Sequence, residues 1–342
     1  MKPIVCKVTK EQLLIMKITI IDSGLSKFMR NKCNSISGIS ITQKKLDGSI
    51  AYSNNFEDIN GHGNMGIQVI SHEIKKLEYQ IIKILDKDNS TSIELLLEAL
   101  RYANTKDTKI VLLGLATKNQ LYNIQIQDEI DAMFSKGKII ISALMNDENY
   151  SIPASLNNVI GVAGAYMNKD IFYFDKYKKI QCIADDSPIF CAYQMDKIGV
   201  FKGNSKATAL FTAHVVRELQ KNPLYSLADI QDNFHRQSNN VFLKNIKNVS
   251  PYFYNETNQN INIYLYNQIL KVLEDNIANP MFTRKDFEQY PLWNMLKRMV
   301  KIVAFLNNLL TTLEIDKSKA FIKMNDLYSL NNLYYKVSSL MG

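Results

Sequence analysis

Along the first 240 residues the apolar positions follow two alternating patterns. Near-continuous apolar runs, the mark of strands buried on both faces, occur at 17–21, 79–85, 109–113 and 138–143. Between them the apolar residues take helical spacing. Ile67, Val69, Ile70 and Ile74 form one such stripe, and Leu95, Leu96, Ala99, Leu100 and Ala103 form another, with Ser90 or Thr91 near its cap. A third helix is expected over 124–136. A fourth runs from about Ser205 to Lys221, where Pro223 ends it, and a short helix follows over 226–234. Strands alternating with helices at this spacing predict an α/β fold with a parallel sheet covered by helices on both faces. The run at 171–174 reads as strand core rather than as a platform for stacking bases.

The residues at the ends of these elements carry the candidate chemistry. The first strand delivers Asp22-Ser23-Gly24 to a sheet edge, and Gly61-His62-Gly63 opens the first helical stripe. The strand at 138–143 leads to Asn146. Gly203-Asn204-Ser205-Lys206-Ala207-Thr208-Ala209 runs straight into a helix. A serine at a helix start with small neighbours is how a nucleophile is exposed, although Ser205 taken alone reads more readily as an N-cap. The chain order Asp, His, Ser is the order of subtilisin-like proteases among serine triads. On these motifs the sequence resembles a subtilase.

The resemblance implies a subtilisin-like serine endopeptidase. Ser205 would attack the peptide carbonyl, His62 would take its proton, and Asp22 would hold the His62 tautomer. Asn146 would donate to the oxyanion, because the segments at 141–147, 152–155 and 158–165 match the family's oxyanion-asparagine region. Gly114, Leu115 and Ala116 would pair with an extended substrate, and Ala143, Leu144 and Met145 would floor its pocket. Three positions depart from the family: Met145 stands where glycine is usual, Asn64 replaces a threonine, and Ala209 replaces a proline. The connection between the His62 helix and the strand at 79–85 is too short for the family's calcium loop. Only 21 residues precede Asp22, fewer than the propeptide of secreted members would need.

Composition narrows the remainder. At 342 residues the chain is long enough for more than one domain, and the expected division is a catalytic domain over 1–240, a polar linker over 241–262 and a helical module over 263–342. Helices are expected there at 263–277, 296–313 and 329–340. Their arrangement faintly resembles an acyl-carrier module, but no Asp-Ser-Leu opens the second helix to accept a phosphopantetheine arm. The net charge of +8 comes almost wholly from lysine, with arginine only at Arg30, Arg101, Arg217, Arg236, Arg284 and Arg298. No basic block interleaved with aromatics points to nucleic acid. The four cysteines, Cys6, Cys33, Cys182 and Cys191, lack metal-ligand spacing and read as free thiols. His62 and His72 lie ten residues apart with no third ligand nearby, so neither a metal nor another cofactor is expected. His214 reads as a core histidine and His235 as a surface one.

With no signal-peptide run and no membrane-length apolar stretch, the expected setting is cytoplasmic. A protease there needs a dedicated substrate. A ribosomally made precursor peptide that loses its leader fits best, with the C-terminal module docking the precursor or a biosynthetic partner. The alternative is a catalytically silent scaffold of the same fold.

Overall fold

The computed structural model describes residues 15–31, 33, 35–44, 47–167, 170–245, 261–277 and 282–342. Nine strands form one sheet: β1 (Met16–Asp22), β2 (Ser35–Gln43), β3 (Ile50–Ser53), β4 (Leu77–Lys83), β5 (Ile110–Leu113), β6 (Ile139–Ala143), β7 (Val159–Ala165), β8 (Phe172–Phe174) and β9 (Cys182–Asp185). Their spatial order is β3-β2-β4-β1-β5-β6-β7-β9-β8. All neighbours pair parallel except the two edge strands, β3 and β8.

The alternation within each strand decides which helices it carries. Ile18, Ile20, Ile110, Leu112, Ile139 and Ile141 pack toward one face with residues of α2 (His62–Glu73) and α5 (Gly203–Lys221). Ile21, Val111, Leu113 and Ile140 face the other way, onto α3 (Ile93–Asn104) and α4 (Asn123–Ser135). Covered on both faces, these strands must be apolar throughout, which is why they read as continuous runs. The short α1 (Lys27–Arg30) follows β1. Ser92, rather than Ser90 or Thr91, caps α3, its side chain accepting from Leu95 N–H at 3.3 Å. Three residues, 74–76, connect α2 to β4.

The helix expected over 226–234 is longer: α6 spans Leu227–Asn245. Leu227, Ile230 and Phe234 seat its start, and Phe234 joins an aromatic cluster with Phe172, Phe174 and Phe211. Residues 235–245 contain no glycine or proline to stop the helix, so asparagine content alone was a poor end signal. Of the stretch expected as linker, 246–260 lies outside the described residues.

A second, antiparallel sheet joins the two parts of the chain. β10 (Ile189–Gln194) pairs with β11 (Lys197–Phe201) on one side and with β12 (Phe321–Lys323) on the other. β12 lies inside the stretch read as helical and is too short to show a period. The surrounding helices are α7 (Ile263–Asn276), α8 (Arg284–Gln289), α9 (Leu292–Leu296), α10 (Met299–Thr312) and α11 (Leu330–Met341). Their apolar faces share a core with Phe190 of β10 and Ile198 of β11. Cys33, Cys182 and Cys191 carry free thiols, and Cys6 lies outside the described residues. Among the described residues no helix is long and apolar enough to cross a membrane.

Candidate active site

Every motif singled out in the sequence reaches the carboxyl edge of the large sheet, where open α/β folds gather their ligands. Asp22 ends β1, His62 begins α2, Gly114 follows β5, Asn146 follows β6, and Ser205 lies in the first turn of α5. A cleft of about 780 Å³ opens there, and His62, Asn146 and Ser205 all line it.

Asp22 and His62 form the best-defined pair. His62 Nδ1–H donates to Asp22 Oδ1 at 2.8 Å and lies 3.1 Å from Oδ2. A carboxylate only accepts, so a ring proton sits on Nδ1, and in the neutral imidazole Nε2 then keeps its lone pair. Ser23 N–H donates to Asp22 Oδ1 at 2.7 Å, which fixes the carboxylate. Gly114 is required by proximity, since a Cβ there would overlap Asp22 Oδ2 and come within 3.5 Å of His62 Cε1. Phe201 packs edge-on against the imidazole, with ring centroids 5.4 Å apart.

The start of α2 is built by a second carboxylate. Asp58, 4 % exposed, accepts from Gly61 N–H at 2.7 Å and from Asn64 N–H at 2.8 Å. Gly61 adopts φ 94°, which lets the chain turn directly into His62. Burial alone would lower the His62 pKa, but the charge and hydrogen bond of Asp22, with the Asp58 charge behind, raise it above the ordinary imidazole value. Burial raises the Asp58 pKa as well. Asn64 is not a loose replacement for threonine. Its Oδ1 accepts from Ser26 N–H at 2.8 Å, and its Nδ2 donates to Ser26 Oγ and to Tyr193 O.

Around Ser205 the contacts are equally specific. Asn204 N–H donates to Asn146 Oδ1 at 3.1 Å, so Asn146 Nδ2 is the end left to donate elsewhere. Lys206, 2 % exposed, pairs with Asp185, 1 % exposed, and also donates to Asp185 O at 3.0 Å. Burial opposes ionisation of Asp185, but the Lys206 charge and several hydrogen bonds hold its pKa below the usual value. This buried pair fixes the first turn of α5 to the end of β9.

Gly114, Leu115, Ala116, Ala143, Leu144 and Met145 all line the cleft together with Asn146. Met65, Leu96, Val200 and Phe201 add apolar surface. Asp58 and Phe201 were not singled out from sequence, and Asn204 and Lys206 entered only as neighbours of Ser205, with no role of their own. Only Asp58 carried a usable signal, as an acidic residue shortly before a helix start.

The remaining candidates stay apart from this cleft. His72 stacks on Phe321, with centroids 4.1 Å apart, and contacts Glu73. His214 is largely buried, as a core histidine should be, with its Nδ1 3.3 Å from the Arg217 guanidinium. His235 is half-buried beside Asp175, so it is not simply a surface residue. Among the described residues no group of three or more His, Cys, Asp or Glu side chains is placed to hold a metal ion. The model of the Subtilase family matches residues 17–252, a span that contains Asp22, His62, Asn146 and Ser205. No curated protein matched the chain.

Proposed function

This chain belongs to the subtilase family, and on that premise we propose that it is a serine endopeptidase with Ser205 as nucleophile, His62 as general base and Asp22 as its orienter. The observation that carries the reading is the 2.8 Å contact between Asp22 and His62 Nδ1 beside the cleft that Ser205 and Asn146 also line. With Nδ1–H held by Asp22, His62 Nε2 is free to accept the Ser205 proton as Oγ attacks the carbonyl carbon. The carbonyl π electrons move to oxygen. Asn146 Nδ2 and the Ser205 N–H at the α5 start then donate to that oxyanion. His62 returns the proton to the departing amine, and water repeats the sequence to release the acyl group.

The substrate would lie extended against Gly114, Leu115 and Ala116, with a side chain over Ala143, Leu144 and Met145. The lining mixes apolar residues such as Met65, Val200 and Phe201 with polar ones such as Ser90, Thr91 and Thr117, which supports an extended peptide substrate. Within that class we favour a dedicated peptide or protein, such as a ribosomally made precursor whose leader is removed. We place the activity in the cytoplasm, a setting supported by the free thiols at Cys33, Cys182 and Cys191.

A fluorophosphonate probe tests the reading. The wild-type chain should be labelled and should cleave peptides, while Ser205→Ala should lose both and keep its melting temperature. Labelling or turnover that persists in the alanine variant would remove Ser205 from the mechanism.

A further inference from the structure

Asn204 occupies a place in the sheet where its amide stands in for a strand bond. Between β6 and β7 the parallel register pairs Ala143 with Val162, and Leu144 N–H donates to Val162 O at 2.8 Å. In a parallel ladder the next bond would run from Gly164 N–H to Leu144 O. Instead the Asn204 side chain stands between them. Gly164 N–H donates to Asn204 Oδ1 at 2.7 Å, and Asn204 Nδ2 donates to Leu144 O at 2.8 Å. The two backbone partners fix which end of the amide is oxygen and which is nitrogen.

The consequence is a fork at the carboxyl edge, held open by the width of one amide. On one side of it Leu144, Met145 and Asn146 leave the sheet and line the cleft. The backbone N–H of the same Asn204 fixes Asn146 Oδ1 at 3.1 Å, and the next residue is Ser205. One side chain therefore joins β6, β7 and the nucleophile turn, and one backbone group sets the face that Asn146 presents.

We propose that Asn204 is a positioning residue which holds the β6–β7 fork open and so places Asn146 Nδ2 to receive the oxyanion. The proposal rests on the serine-protease reading. It adds a requirement for a side chain that donates and accepts at once. Asparagine meets that requirement at this length, whereas alanine meets neither half and aspartate only the accepting half. With the amide gone, Gly164 N–H and Leu144 O can close on each other, drawing Leu144 and the residues after it toward β7 and away from Ser205.

A double-mutant cycle with Asn146 separates positioning from general support of the fold. Asn204→Ala should lower kcat by about 10²-fold, the scale of a misplaced catalytic group, with KM little changed. In the Asn146→Ala background, itself expected to lose about 10²- to 10³-fold in kcat, the same change should cost little more. Asn204→Asp keeps the volume and the acceptor for Gly164 but loses the donor to Leu144, and should show the same coupling. Equal losses in both backgrounds, or no loss in either, would overturn the proposal. Should neither Asn204 variant fold, the residue holds the sheet rather than the site, and the proposal falls. Probe labelling keeps the two levels distinct. An unlabelled wild-type chain defeats the serine-protease reading, while a labelled one with additive losses defeats only the role of Asn204.

Discussion

At the scale of single residues the site depends on what is missing as much as on what is present. Gly114 has no side chain, and a Cβ there would overlap Asp22 Oδ2. Gly114→Ala should displace the carboxylate from His62 Nδ1 and lower kcat by about two orders of magnitude or more. Because the change lies at the sheet edge, circular dichroism should report an intact fold. Wild-type kcat in this variant would mean that the Asp22–His62 geometry tolerates movement. The groups proposed to react were legible in the sequence, because each stands directly after a strand or at a helix start, and local pattern places those points well. Their supports were not. Asn204 reads as one polar residue in a turn until the register of β6 and β7 shows it replacing a ladder bond. Lys206 reads as a surface lysine until Asp185, 21 positions earlier, is found beside it in the interior. Contacts between segments distant in sequence leave no periodic trace.

At the scale of elements α2 shows how a helix start tunes its first residue. Asp58 accepts the Gly61 and Asn64 N–H groups and adds negative charge behind His62. A general base works in its neutral form, so turnover rises as pH climbs through the His62 pKa, which this environment holds above its ordinary value. Removing the Asp58 charge lowers that pKa. The acidic limb of kcat/KM in Asp58→Asn should therefore shift to lower pH, with some stability lost because Asn64 N–H no longer meets a carboxylate. A limb that stays in place, or moves upward, would show that Asp58 acts on structure alone. The nine-residue β2 gave no continuous apolar run, whereas β1, β4, β5, β6 and the helices α2 to α5 were legible through their periods, with errors of a few residues at caps. The extended α6 and the strands β10 to β12 were not. Composition misplaced the first, and the others are six residues or fewer, with pairing set by distant partners.

At the scale of the molecule the C-terminal helices bear on how the nucleophile is held. They bury Phe190 and Ile198, two side chains of the β10–β11 hairpin, at 0 % and 1 % exposure. β12 adds a strand to β10, and Lys323 from β12 pairs with Asp170. Asn307 of α10 brackets the exposed edge of β11, accepting from Ile198 N–H at 3.0 Å and donating to Ile198 O at 3.1 Å. Three residues further along β11, Phe201 touches His62, and the chain then enters α5 through Lys202 and Gly203 to reach Ser205. A module that served only to raise the local concentration of substrate would leave the chemistry alone. One that supports this hairpin would not. Asn307→Ala leaves both Ile198 backbone groups without their partner and should destabilise the chain by about 1–3 kcal/mol, with kcat on a short peptide reduced. Ending the chain after residue 262 should go further, because each uncovered large apolar side chain forfeits about 1.5–3 kcal/mol and β10 loses a strand. The shortened protein is expected to lose cleavage of short generic peptides together with that of its native substrate. If it instead melts at the wild-type temperature and cleaves the short peptide at the wild-type rate, the helices are a separable docking module and the hairpin holds its shape without them.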